Sequence, residues 1–313
     1  MIDFEANLVG MTGGIMPIQR KPREKQLTIG SINIVIHPHT PERYIDLFFA
    51  AFRLKRSIQL RGNQHALIGE LRFLDPDKPL DGLAGKVYRF THIDPSAAWF
   101  NLEEHKAATE DEVSKIAIPA HLKPNLVMFS FVFYPKYPKA HRLYFESQSG
   151  KDRLSVGSML KLLNGLFSHH SIVKEFGAVD ITAIPEREQL DKIFKIPNLK
   201  KLIIEITRPN PDDLEDEEAR ILERLNKQNA RRLHQELVAV QNESIKPDKI
   251  TKALARVASQ NGKVIGIGTS TDQRRLEEST VDHPQLEMIR YNPDMQTASD
   301  ALIAYTRHET KTK

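Results

Sequence analysis

LTIGSINIVI (27–36) followed by TPERYIDLFFAAFRLKR (40–56) is the stretch whose reading decides the fold. In the first segment Ile32, Ile34 and Ile36 alternate with Ser31, Asn33 and Val35, the period of two that a strand with one strongly apolar face requires. In the second, Thr40 suits an N-cap and Pro41 the first helical position, and Tyr44, Leu47, Phe48, Ala51 and Phe52 recur at spacings of three and four. The spacing predicts a helix that buries an aromatic stripe and carries Arg53, Lys55 and Arg56 in its last turn, where cations also oppose the negative end of the helix dipole. Two strands follow, HALIGELRFL (65–74) and GKVYRFTHI (85–93), joined by the proline- and glycine-containing loop DPDKPLDGLAG. Strand, helix, strand, strand is half of a split β-α-β layout, a scaffold on which nucleic-acid-binding proteins place basic groups on one face.

Outward from this stretch the pattern continues as α+β. LVMFSFVFY (126–134) is the most hydrophobic window, and HRLYFES (141–147) returns beside it as a hairpin. LSVGSMLKLLNGLF (154–167) reads as a helix with Leu160, Leu163 and Phe167 on one stripe, and strands AVDITAI (178–184) and LKKLIIEIT (199–207) flank the short helix EREQLDKIF. Two prolines in RPNPDD (208–213) mark a boundary, after which a solvated helix over 213–237 runs from acidic to basic, as the helix dipole favours. KPDKITKALARVASQNG is a helix stopped by Gly262, KVIGIG (263–268) a strand with LEMIRYNP (286–293) as its hairpin partner, and MQTASDALIAYTRHE a final helix. The expectation is a flexible basic arm at 1–26, an α+β core at 27–207 and a helical and hairpin subdomain at 208–313, with mixed or antiparallel sheets.

Composition narrows the chemistry. The 313 residues, 40% hydrophobic and 27% charged, suffice for one large core or two ordinary ones. Without cysteine there are no disulfides, thiolate nucleophiles or thiolate metal sites. No apolar run approaches the length needed to span a bilayer, and MIDFEANLVG lacks the features of a signal peptide, so the expected setting is cytoplasmic. The net charge of +4 and pI near 9.0 are mild, so contact with a polyanion must come from local clustering.

The clusters are 20–25, then Arg53, Lys55, Arg56 and Arg61, Lys200 with Lys201, Arg231 with Arg232, and Arg274 with Arg275. Arg53, Lys55, Arg56 and Arg61 are the first choice for phosphate contacts, and Arg231, Arg232, Arg274 and Arg275 the second. Chemical motifs are absent: no G-x-S-x-G elbow, P-loop or dinucleotide fingerprint occurs, and His37, His39, His169 and His170 lack a metal-ligand spacing. No cofactor is implied. Asp180 and Glu205, charged residues inside apolar strands, are the candidates for a metal-dependent nuclease, and His37, His39 or His65 near Lys55 for metal-free RNA cleavage.

GSINIVIHPHTPERYIDLFFAAFRLKR, AAWFN, LVMFSFVFY before LSVGSMLKLLNGLF, and VDITAI before LKKLIIEITRPNPDD together resemble a bacterial family of unknown function associated with mobile elements and phage defence. More distantly, the order of elements is similar to the Rex A phage-exclusion protein and the B subunit of the Kiwa defence system. That resemblance implies DNA binding, with DNA favoured over RNA, in a non-catalytic sensor or effector of anti-phage defence. A nuclease effector and a protein-interaction subunit, homo-oligomeric or bound to a defence partner, are the alternatives.

Overall fold

The structure, a computed structural model, describes residues 24–94, 97–116, 119, 121–136, 141–209 and 216–311. Arg20, Lys21 and Arg23 of the basic arm lie outside the described residues, whereas Lys25 begins the first strand. The fold is α+β, and among the described residues every strand pairing is antiparallel.

The deciding stretch forms strand β1 (Lys25–Val35) and helix α1 (Pro41–Arg53). Thr40 caps the helix, accepting a hydrogen bond from the Arg43 amide at 3.4 Å, and Tyr44, Leu47, Phe48 and Ala51 are buried. The helix ends at Arg53, one turn earlier than the charge pattern predicts, because Lys55 adopts a left-handed backbone (φ 47). Lys55 and Arg56 therefore lie past the helix. The chain goes directly into β2 (Ile58–Arg61), too short for its periodicity to be read, which forms a hairpin with β3 (Gln64–Phe73); β4 (Leu83–Thr91) follows. In β3 the register shifts between Ile68 and Glu70, so Ala66 and Ile68 before the shift and Leu71 and Phe73 after it all pack on one core.

The middle of the chain forms a small pair, β5 (Phe100–Asn101) and β6 (Lys106–Ala107), and the short helix α2 (Glu110–Ser114). Then come β7 (Val127–Tyr134), β8 (Arg142–Glu146), the small hairpin β9 (Gln148–Ser149) and β10 (Asp152–Arg153), helices α3 (Val156–Phe167) and α4 (His170–Phe176), and β11 (Asp180–Ala183). The large sheet runs β11-β1-β8-β7-β4-β3-β2. β1 and β3 are thus separated by β8, β7 and β4, and α1 is not the crossover of a split β-α-β unit. The centre goes to β7 because it is apolar on both faces, a composition that pays only where both faces are covered. Phe129, Phe131 and Phe133 meet α1 and α3, while Val132 and Tyr134 point the other way. The Phe48 and Phe133 rings lie 4.5 Å apart, and each such side chain contributes about 2–3 kcal/mol by burial. Helix α3 packs against both β2 and β11, bridging the two edges of the sheet, which must curl to bring them there.

The last third supplies α5 (Gln189–Phe194), β12 (Asn198–Thr207), α6 (Asp216–Lys227), β13 (Arg232–Val238), α7 (Lys249–Asn261), β14 (Gly262–Thr269), β15 (Arg275–Ser279), β16 (Leu286–Tyr291) and α8 (Ala298–Lys311). The second sheet is ordered β13-β12-β14-β15. Its core gathers Leu202, Ile204 and Ile206 with Ala255 and Ala258 of α7. Pairing therefore crosses residue 208: β12 lies before the expected boundary and its partner β13 after it. The helix predicted over 213–237 stops at Lys227, and after a turn with Asn229 left-handed (φ 50) the chain continues as β13. The predicted hairpin of β14 with 286–293 is also corrected. β14 pairs with β15 and β12, and β16 instead joins the large sheet beside β1, from Lys25 opposite Tyr291 to Gly30 opposite Leu286. There Ile289 and Tyr291 pack with Leu27, Ile29, Val132 and Leu302, so α8 covers this part of the second face.

Candidate nucleic-acid interface

The turn between α1 and β2 and the hairpin between β2 and β3 place Arg53, Lys55, Arg56 and Arg61 around one short edge strand, all four exposed. Among the described residues none of the four has a carboxylate partner. Lys161 of α3 reaches the same strand, donating to the Leu60 carbonyl at 2.7 Å. With 41 acidic residues in 313, one falls roughly every eight positions, yet 47–69 and 153–174, the two segments that meet here, contain none. The local field is positive because carboxylates are missing and not because cations are unusually dense.

Between these segments opens a cleft of about 570 Å³, lined by Arg56, Ser57, Ile58, Gln59, His65, Gly165, Ser168, His169 and His170. Gly165 permits it: a Cβ there would stand 2.8 Å from Ile58 Cγ2, so β2 could not approach α3 this closely beside a larger residue. His169 caps α4. The Ser171 amide donates to its Nδ1 at 3.4 Å and the Ser171 hydroxyl lies at 2.8 Å, so Nδ1 accepts and Nε2 carries the proton of the neutral ring. The His170 ring lies 4.3 Å from that of His169. Desolvation, then repulsion from His170 and Arg56, holds His169 below the usual imidazole value. His65 is lowered in the same way, by burial first and then by His92, 5.0 Å away, and Lys123. Its Nδ1 is buried with no hydrogen-bond partner among the described residues.

Three of the four second-choice cations, Arg231, Arg232 and Arg275, are paired with carboxylates elsewhere, and Arg274 makes its contacts through its backbone. Arg231 makes a two-pronged contact with Asp180, at 3.1 and 2.7 Å, and Arg232 bridges Asp180 at 3.5 Å and Glu205 at 3.1 Å. Lys263 adds a contact to Glu205 at 3.3 Å. Asp180 and Glu205, the carboxylates considered for a nuclease, thus belong to a chain of ion pairs that joins the two sheets. Arg275 pairs with Glu277 at 2.9 Å on the surface, and Arg274 closes the turn that starts at Ser270. None of these four residues lines the cleft.

His37 and His39 do not line it either. His37 Nε2 lies 3.3 Å from the Arg208 carbonyl, and burial lowers its pKa. His39 Nδ1 is 3.1 Å from the Tyr44 hydroxyl, in a box completed by the buried His141. Among the described residues no three His, Asp or Glu side chains converge as metal ligands. No described helix is long and apolar enough to cross a membrane. Charge pattern found Arg56, but the conjunction of His65, His169 and His170 rests on tertiary structure, and its one local signal was the pair of acid-free segments.

No curated protein matches the chain. The family model described as a domain of unknown function (DUF4747) matches residues 25–307. That match takes in both sheets and every residue of the cleft, and the chain belongs to the DUF4747 family.

Proposed function

We propose that this protein binds nucleic acid through its phosphate backbone, with Arg53, Lys55, Arg56 and Arg61 as the contacts, and acts without chemistry of its own. The observation that carries the reading is that these four exposed cations share one edge of the large sheet with no carboxylate partner among the described residues, while Arg231, Arg232 and Arg275 are already paired. An unpaired arginine gives up only water and counterions when it meets a phosphate, and counterion release is what drives backbone binding. Backbone contacts position a protein without reading sequence, so affinity independent of base sequence is expected. The setting we propose is cytoplasmic anti-phage defence, which rests on the resemblance of the sequence to a bacterial family associated with mobile elements and phage defence, with DNA favoured as the ligand.

The test is a mobility shift with duplex DNA, single-stranded DNA and RNA, with and without magnesium. Wild type is compared with Lys55→Glu/Arg56→Glu and with Arg274→Glu/Arg275→Glu. Loss of binding in the first variant alone, with the nucleic acid left intact, supports the reading. Equal binding by a folded Lys55→Glu/Arg56→Glu protein excludes this face, and magnesium-dependent degradation would replace a binder with a nuclease.

A further inference from the structure

Resting on that reading, we propose that the cleft beneath Arg56 is a phosphomonoester site, which takes the terminal phosphate of a nucleic-acid strand or of a free nucleotide. Its lining contains no carboxylate, and its volume of about 570 Å³ falls in the range of small-molecule sites. Residues that carry N–H donors line it from three places in the fold: Arg56 after α1, His65 on β3, and His169 and His170 at the α3–α4 junction.

The number and kind of donors favour an end over a mid-chain phosphate. A phosphodiester offers two terminal oxygens and one negative charge. A monoester offers three oxygens and a charge between one and two near neutral pH, because its second ionisation lies near 6. A guanidinium fork with three imidazoles, each able to take up a proton, matches the third oxygen and the second charge that a monoester has and a diester lacks. The tautomer of His169 directs its N–H away from the helix cap, leaving Nε2 as the donor.

Charge follows the same logic. The groups that face these rings are His170 and Arg56 around His169, and His92 and Lys123 around His65, all cationic or able to become so. Burial first, and then this repulsion, keeps His65 and His169 less protonated than isolated imidazoles. A bound dianion removes the repulsion and draws protons in, so binding tightens as pH falls from 8 to about 6.5 and stops improving where the ester itself takes up a proton.

The experiment is fluorescence anisotropy in EDTA with one labelled single strand carrying a 5′-phosphate, a 3′-phosphate or hydroxyl ends, between pH 6 and 8, with AMP as competitor. A phosphorylated end should bind about tenfold more tightly than hydroxyl ends at pH 6.5, the size of one charge-assisted contact set. Arg56→Gln and His170→Gln, both at exposed positions, should erase that difference and keep a weaker end-independent affinity. Displacement by micromolar AMP assigns the site to free nucleotides, and resistance to it assigns the site to strand ends. Equal affinity of wild type for phosphate and hydroxyl ends overturns the monoester site and leaves backbone binding standing. No binding to any strand overturns both.

Discussion

Asp180 and Arg231 are joined by two hydrogen bonds, Arg231 Nε to Oδ2 at 3.1 Å and Nη2 to Oδ1 at 2.7 Å, and this contact ties β11 of the large sheet to the turn that starts β13 of the small one. The carboxylate is nearly buried and the arginine side chain is half exposed. The two partners are therefore unequal: an orphaned Arg231 finds water, whereas an orphaned Asp180 keeps, among the described residues, Arg232 at 3.5 Å.

That asymmetry predicts an order of stabilities. Arg231→Gln should cost about 2–3 kcal/mol and Asp180→Asn about 1–2 kcal/mol, with non-additivity of about 1 kcal/mol in the double variant. Urea unfolding of the four proteins checks it. Nucleic-acid affinity should be unchanged in each, because neither residue belongs to the cluster of Arg53, Lys55, Arg56 and Arg61 or lines the cleft.

Gly165→Ala offers a test in which propensity and packing give opposite signs. Alanine gains about 1 kcal/mol of helix propensity. The new Cβ, however, would lie 2.8 Å from Cγ2 and 2.9 Å from Cδ1 of Ile58, and overpacking costs about 1–3 kcal/mol. The variant should melt below wild type and show a smaller preference for phosphorylated ends, since Ile58 lines the cleft. A higher melting temperature would contradict the close approach of α3 to β2.

Glu146, buried on β8, accepts a hydrogen bond from the Ser130 amide at 3.2 Å, and burial raises its pKa above the ordinary 4.5. The unfolded chain then releases this proton at lower pH than the folded one. The stability Glu146 contributes is complete below about pH 4 and is lost as pH rises through the folded value. Glu146→Gln, which keeps an acceptor for Ser130 and carries no charge, should raise the urea midpoint relative to wild type at pH 7. The difference should vanish near pH 4.

Much of this architecture was legible where local pattern and global position agree. Thr40 and Pro41 announced α1, the alternation of Ile32 and Ile34 announced β1, and the hydrophobic window at 126–134 announced β7 and its hairpin with β8. β13 was misread because Leu233 and Leu237, four residues apart, share a face in a helix and in a strand alike, and only pairing with β12 decides between them. β15, with Arg275, Glu277 and Glu278 in five residues, offers too little apolar contrast to stand out. The pairing of β16 with β1 joins residues some 260 positions apart and has no local signature. The candidate site divides in the same way. Arg56 could be chosen from charge alone, but which cations stay free depended on where Asp180 and Glu205 fall, and the histidines meet Arg56 only because α3 bridges the sheet edges.

The most direct test of the central claim is the salt dependence of duplex DNA binding by wild type and by a variant with Arg53, Lys55, Arg56 and Arg61 all changed to glutamine. Each phosphate contact contributes about 0.9 to the slope of log K against log salt. The account predicts that the variant, folded by circular dichroism, binds far more weakly and with a slope smaller by about 3 to 4, while Arg274→Gln/Arg275→Gln keeps the wild-type slope. An unchanged slope and affinity in the fourfold variant would contradict it.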